Sequence, residues 1–355
     1  MTDEPVSAPD FGELARSFIC ATDNIDRYAF DVAAGRWLVL LFFGTLALDS
    51  SVDALAKALE MRELFNDRDA ALFGVSIDPN DKSERGIANS EPGVRFFWDF
   101  DFTVSRLYGV ANGDYLRPGV FLIDPAFRIV MAESIENTGA VMARLSRELA
   151  AQTTAEAQTA PVLVLPRVFE PELCTALIDY FKAGSPEVSG FAANLDGRTV
   201  LQHDLRLKRR TDVIIEDEAL MAQVRERIET RLFPMIKRAF GWQAQHIERY
   251  LICRYGAHDN GFFFPHRDDA TAGTAHRKFA VTLNLNADDY EGGELRFPEF
   301  GRRTYKPPTG GAAVFGCNLL HEATPVTSGE RFAVVPFLYD DEGEAIRKAN
   351  LGLVD

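Results

Sequence analysis

The sequence has few cysteines, no long apolar run and no excess of positive charge. Its four cysteines, Cys20, Cys174, Cys253 and Cys317, are scattered with no C-x-x-C spacing. This excludes a zinc ribbon or a disulfide framework as the organising device and leaves buried, reduced thiols as the expectation. No stretch approaches the ~20 apolar residues of a membrane span. The opening stretch MTDEPVSAPDFGE carries neither a basic nor an apolar segment of the secretory kind, so a cytoplasmic chain with no membrane partner is expected. With 38 Lys and Arg against 53 Asp and Glu, the formal net charge is -15. Such a balance repels nucleic acid and anionic membrane at long range and argues against both as partners.

What is present suits two ordinary globular domains, since 355 residues exceed the ~150 of a typical single one. In the first half, Trp37 to Phe43 is an unbroken apolar run, as in a strand covered on both faces. Val52, Leu55, Ala56, Leu59 and Leu64 then fall near helical spacing, with Asp49 and Ser50 as caps. A second buried strand is read at Ala71 to Ile77, then Val94 to Val110, a hairpin from Gly119 to Met131, and a helix from Thr138 to Ala150. The order predicts a layered α/β domain over residues 1–150. Residues 151–161 are small and polar without an apolar face, which reads as a linker.

Residues 162–355 open with a short strand at Val162 to Leu165 and a helix from Glu170 to Ala183. Asp196 to Asp212 reads as a loop, and its basic run Arg206 to Arg210 reads as a solvated face or a grip on substrate at the mouth of a site. Asp217 to Gly241 reads as helical, with Leu220, Val224, Ile228, Leu232 and Ile236 spaced by fours. From Glu248 to Tyr339 the pattern changes to short strands punctuated by Gly, Pro and Asn, the signature of a double-stranded β-helix, or jelly roll.

Within that region the chemistry concentrates at Pro265-His266-Arg267-Asp268-Asp269, His321 and Arg331. On an extended strand alternate residues share a face, so His266 and Asp268 aim an imidazole and a carboxylate at one place. A second imidazole, from His321 on a strand closing the same barrel, completes a two-histidine, one-carboxylate set that leaves Fe(II) positions open. Arg331 supplies a permanent planar cation for a carboxylate-bearing cosubstrate. It is expected to face the same cavity if the chain turns at Thr327 to Glu330 and returns. Asp269 would point to the opposite face. His203, His246, His258 and His276 read as satisfied or solvated, and Gly292-Gly293 as a turn needing permissive dihedrals.

Two resemblances follow from these stretches. Gly35 to Phe43, Gly74 to Asp78, Asp99, Leu107 to Val110 and Val120 to Pro125 resemble the peroxiredoxin branch of the thioredoxin fold, over roughly residues 8–150. That family attacks peroxide with a cysteine at the start of the helix after the first central strand. Phe43 to Ser51 contains no cysteine, so the resemblance implies a redox-inactive domain, suited to a homodimer contact or a protein partner. Thiol peroxidase and silent scaffold stand as rival readings. Arg254-Tyr255-Gly256, Pro265 to Asp268, Leu285-Asn286, Tyr290 to Pro298 and His321 to Arg331 resemble the prolyl-4-hydroxylase branch of the Fe(II)/2-oxoglutarate dioxygenases, over roughly residues 161–340. The resemblance implies His266, Asp268 and His321 as iron ligands and Arg331 as the 2-oxoglutarate anchor. Tyr255 and Asn284 become cosubstrate contacts, with core packing and a plain sheet role as their alternatives; many members place a tyrosine where Asn284 stands. It further implies Fe(II), 2-oxoglutarate and O2, with ascorbate as reductant, and a small-molecule or peptide substrate. Halogenases of the superfamily keep the Asp268 position small, so Asp268 implies hydroxylation.

Overall fold

The computed structural model of the chain describes residues 7–113, 115–152 and 159–354. It divides into two compact units, residues 1–158 with 298–301, and residues 159–297 with 302–355. Most of the linker read at 151–161 lies outside the described residues.

The first unit is built on a five-stranded sheet. Its strands are β1 (Trp37–Gly44), β2 (Ala70–Ser76), β3 (Val94–Trp98), β4 (Gly119–Ile123) and β5 (Ile129–Ser134), in the order β3-β2-β1-β4-β5. The first three run parallel, and β4 and β5 are antiparallel to their neighbours. Every residue of β1 is buried, because both faces are covered. Val39, Leu41 and Phe43 pack with Ala54, Leu55 and Ala58 of helix α1 (Asp49–Leu59) and with Val141 and Leu145 of the helix Thr138–Gln152. Phe42 and its neighbours on the other face meet an aromatic layer in which the Phe73 and Phe97 rings stack with centres 5.2 Å apart. Asp49 and Ser50 do not cap α1: Leu48 is the N-cap residue and no side chain caps the helix. Two-residue strands at Ile19–Cys20 and Tyr28–Ala29 were not anticipated.

The second unit is built on two large antiparallel sheets, the arrangement of a jelly roll, with a separate two-stranded hairpin and short strands at His246–Glu248 and Tyr290–Gly292 added at the side of the larger one. Its strands are β6 (Leu163–Leu165), β7 (Glu187–Val188), β8 (Phe191–Leu195), β9 (Arg198–Gln202), β10 (Lys208–Arg209), β11 (Thr211–Ile214), β12 (Leu251–Gly256), β13 (Phe262–His266), β14 (Phe279–Asn284), β15 (Leu295–Arg296), β16 (Thr304–Tyr305), β17 (Ala312–Gly316), β18 (His321–Ala323), β19 (Val326–Val334) and β20 (Phe337–Tyr339). The larger sheet runs β6-β17-β14-β19-β12-β11-β7 and the smaller β10-β13-β18-β15-β16. Alternation decides what faces where. Ile252, Leu283, Val314 and Val334 point outward onto the helices Pro171–Ala183 and Phe233–Phe240, while Leu251, Cys253, Tyr255 and Ala333 point into the barrel.

Four expectations are corrected here. The loop read at Asp196 to Asp212 holds strands: β8 and β9 form a hairpin through Asp196-Gly197, both at positive φ (50° and 82°), and β10 and β11 join the two sheets. Asp-Gly between alternating segments is a hairpin signal, since both turn residues must be left-handed. The turn read at Thr327 to Glu330 lies inside the nine-residue β19. The chain instead changes direction at Thr324-Pro325, so His321 and Arg331 sit in different sheets. The strand read from Glu248 is broken at Arg249, whose φ is 66°. The helix read over Asp217 to Gly241 is two α segments around a π turn at Ile228–Leu232. A stripe spaced by fours drifts off one face of an α-helix, and one wider turn, placed just before Pro234, brings Ile228, Leu232 and Ile236 back to the core.

Candidate metal centre

The site forms where the smaller sheet curls over the larger one. Strand β13 ends at His266, and Asp268 follows in a turn rather than on the strand. The turn is pinned where the Asp268 N–H donates to the Cys317 carbonyl, at 2.9 Å. His321 stands directly opposite His266 in the β13–β18 ladder, and their ring centres are 4.2 Å apart. The His266 Nε2 lies 3.5 Å from one Asp268 carboxylate oxygen and the His321 Nε2 3.3 Å from the other. Donor atoms of all three residues fall within 4.8 Å of one another. Side-chain exposure falls from 21% at His266 through 13% at Asp268 to 6% at His321, so the cluster opens on the His266 side.

The hydrogen bonds behind the cluster fix its protons. The His266 Nδ1 lies 2.7 Å from the Phe264 carbonyl, and the His321 Nδ1 lies 3.0 Å from the Leu319 carbonyl. A carbonyl can only accept, so each Nδ1 carries a proton and each ring turns its Nε2 toward Asp268. Burial, with the charge of His266 beside it, pushes His321 down to about 4, so it is neutral near pH 7. Burial works against the Asp268 charge, but protons on the two facing imidazoles would outweigh it and hold the carboxyl well below the usual range, so the carboxylate is the form that meets positive charge here. Two lone pairs and a carboxylate facing one point repel unless a cation lies between them. The donor set therefore fits a divalent transition metal, with the carbonyls orienting the ligands from behind.

Arg331 is 3% exposed on the inward face of β19, directly opposite Tyr255 on β12. Its Nη1 donates to the Gly293 carbonyl and its Nη2 to the Thr282 hydroxyl, each at 2.8 Å, and its buried Nε has no partner. The guanidinium carbon lies 5.3 Å from the centre of the Tyr255 ring. Gly292 and Gly293 adopt φ of 70° and 61°; a Cβ on Gly293 would meet Val326 at 2.7 Å and the Arg331 Cδ at 3.3 Å, so glycine there leaves room for the Arg331 side chain. Asn284 is buried inside the barrel. Its amide donates to the Tyr290 hydroxyl at 2.9 Å and the Pro307 carbonyl at 2.7 Å, while its Oδ1 is buried without a partner. The structure thus gathers His266, Asp268 and His321 tightly and lines the barrel with Tyr255, Arg331 and Asn284. Asp269 is outside the donor cluster. His246, His258 and His276 pair with Asp341, Asp259 and Glu248.

Sequence reasoning missed Thr282 and Gly293 as partners of Arg331. The solvated-face reading of the basic run fails at two positions: Arg206 is exposed, but Lys208 and Arg210 are buried. The alternation of Lys208, Arg210 and Asp212 ahead of an apolar strand was the available signal.

Residues 250–339 match the family model of the 2OG-Fe(II) oxygenase superfamily, and residues 7–132 match that of the AhpC/TSA family. The chain joins an AhpC/TSA-family domain to a 2OG-Fe(II) oxygenase domain. The oxygenase family named by the first match uses Fe(II) and 2-oxoglutarate, and the residues it covers include His266, Asp268, His321 and Arg331. A PKHD-type hydroxylase of Maricaulis maris (strain MCS10) is 39% identical over 92 residues, 25% of this chain and 41% of the relative. One from Shewanella sp. (strain ANA-3) is 29% identical over 173 residues, 44% of this chain and 76% of the relative. The chain thus spans about two-fifths of the first relative's length and three-quarters of the second's. A prolyl hydroxylase from Trichoplax adhaerens, solved with a hypoxia inducible factor peptide fragment, aligns over 57% of this chain and 92% of its own, at 16% identity and a TM-score of 0.40. No described helix is long and apolar enough to cross a membrane.

The AhpC/TSA-family domain lacks its thiol where the family places one. The loop before α1 is held by Asp81, whose carboxylate accepts from the Leu46 N–H at 3.1 Å and the Ser76 hydroxyl at 2.7 Å. Cys20 lies elsewhere, and burial, with Asp99 nearby, pushes its thiol up to about 12.

Proposed function

We propose that this protein is an Fe(II)- and 2-oxoglutarate-dependent hydroxylase. His266, Asp268 and His321 hold the metal, and Arg331 receives the distal carboxylate of 2-oxoglutarate. Tyr255 and the unpartnered Asn284 oxygen flank the cosubstrate. The observation that carries this reading is the pair of imidazoles whose Nδ1 protons are committed to Phe264 and Leu319, leaving both Nε2 atoms aimed at Asp268. With these components bound, 2-oxoglutarate and O2 yield succinate and CO2, and the second oxygen atom enters a substrate C–H bond as a hydroxyl. The chain's own contribution is positional. The Asp268 carboxylate supplies the negative charge that keeps a divalent ion in place, and the fixed imidazole tautomers remove any need for reorganisation. The barrel wall of Leu251, Cys253, Ala333 and Phe263 excludes water from the reacting side.

Residues 162–355 form the catalytic domain in this reading, joined through 151–161 to a redox-inactive domain of residues 1–150, with ascorbate as external reductant. The substrate is an amino acid, a peptide or another small molecule with a C–H bond of the prolyl kind. The test is succinate formation that depends on substrate. Asp268→Ala should abolish it, and turnover retained in that variant would overturn the ligand assignment.

A further inference from the structure

The barrel holds more positive charge than the reading above uses. Arg210 precedes Asp212 by two residues, and Asp212 lies opposite the inward-facing Cys253, so both point into the barrel. Arg210 is 8% exposed; its Nη2 donates to the Ser189 hydroxyl at 2.9 Å and the Asp212 carboxylate at 2.6 Å, and its buried Nε has no partner. Lys208 is 4% exposed; its ammonium donates to the Gly190 carbonyl at 2.6 Å and sits 4.5 Å from the centre of the Phe263 ring. That ring stacks on His266 with centres 3.5 Å apart. Arg249, at the left-handed break before β12, lies 4.8 Å from the centre of the Phe337 ring. Its buried Nε has no hydrogen-bond partner, and it enters no ion pair among the described residues.

The carboxylates nearby do not balance this set. Glu248 is taken by His276 at 2.8 Å and by Arg277 at 2.6 Å, and Asp212 is taken by Arg210. Desolvation, with Arg210 and Arg277 adding repulsion that Asp212 and Glu248 only partly offset, pushes the half-buried Arg249 guanidinium down to about 10. Burial and Arg210 likewise lower the Lys208 pKa well below its usual value. With Asp212 paired to Arg210 and the Lys208 ammonium held by the Gly190 carbonyl, Arg249 is the cation of this set left, among the described residues, with neither an ion pair nor a partner for its Nε. A carboxylate balances that, and its two oxygens match a guanidinium edge; a phosphate dianion would overshoot it. An unmatched charge in such a place is costly and a non-glycine residue at positive φ is uncommon, so both features suit a ligand site rather than a structural one.

The site also lies where a substrate must. The Phe263 ring lies against both Lys208 and His266. The Phe337 ring lies against both Arg249 and Arg277, the latter 3.9 Å from its centre and reaching the Asp268 carbonyl through its Nη1 at 3.3 Å. We propose that Arg249, supported by Arg210 and Lys208, binds a carboxylate carried by the substrate, so that the enzyme acts on a free amino acid or a peptide with a free carboxyl terminus. This inference rests on the hydroxylase reading for the identity of the reacting partner. It does not rest on it for the anion site itself.

The test uses the full chain, anaerobic, with Fe(II) and 2-oxoglutarate, and matched probes: N-acetyl amino acids and short peptides as acids, as carboxamides and as phosphate esters. Calorimetry should show at least one acid binding about ten-fold or more tighter than its amide and its phosphate counterpart. Arg249→Gln should erase that preference, Arg249→Lys should restore part of it, and 2-oxoglutarate affinity, read from its visible charge-transfer band with Fe(II), should stay within about two-fold. Equal binding of acid and amide, binding of neither, a preference that survives Arg249→Gln, or a loss of 2-oxoglutarate affinity in that variant would each overturn the proposal. Absence of the band in the wild type would instead defeat the hydroxylase reading. The acid-against-amide comparison, repeated on the metal-free chain, then decides the anion site alone.

Discussion

Replacing Arg331 by Gln should uncouple cosubstrate binding from metal binding. Two of its donors are committed to Gly293 and Thr282 and its Nε is buried without a partner, so the guanidinium is held in place with donors to spare. Gln can reach toward Thr282 but has no charge and no second parallel donor. A hydrogen bond to a charged group contributes ~1.5–3 kcal/mol, and a bidentate pair in a buried site sits at the upper end. Loss of roughly 3 kcal/mol weakens 2-oxoglutarate about 100-fold to 200-fold. The assay is anaerobic titration of the charge-transfer band at saturating Fe(II), with Arg331→Lys expected between the two. Fe(II) affinity should be unchanged, because Arg331 lies outside the donor cluster. If the folded variant binds 2-oxoglutarate within about three-fold of wild type, Arg331 is a structural cation and the cosubstrate lies elsewhere.

Glu248 offers a pH test remote from the cosubstrate. Burial raises its pKa, but hydrogen bonds from His276 and Arg277 outweigh this and lower it from 4.5 to about 2. A lowered folded value means its stabilisation is full above the unfolded pKa and is lost as pH falls from near 4.5 toward 2. Glu248→Gln should therefore cost about 2 kcal/mol in urea unfolding near neutral pH and much less near pH 3; a difference independent of pH would refute the pairing. Cys20, pushed up to about 12, should not support peroxide reduction. Peroxide consumption with a thiol reductant that disappears in Cys20→Ser would restore the peroxidase reading.

The parts of this chain that were legible in its sequence are those where one residue type admits one role. The buried run Trp37 to Phe43 fits only a strand covered on both faces. The His266, Asp268 and His321 constellation did not depend on whether Asp268 stood on the strand or in the turn just past it. What escaped was set by backbone left-handedness and by contacts across sheets. Arg249 at positive φ breaks an otherwise regular strand pattern, and nothing in its neighbours announces this. Gly329, at φ 70°, lets β19 pass within contact of Asp289 where glycine and serine suggested a turn; a Cβ there would lie 2.1 Å from the Asp289 carbonyl oxygen. The burial of Lys208 and Arg210 follows from β10 and β11 bridging the two sheets, which a reading of charge along the chain does not capture.

Metal stoichiometry tests the assignment of His266, Asp268 and His321 most directly. After anaerobic incubation with Fe(II) and removal of free metal, the wild-type chain should retain about one iron per molecule. His266→Ala, Asp268→Ala and His321→Ala should each retain almost none while keeping the same circular dichroism. Iron held equally well by all three variants, or by none of the four proteins, would contradict it.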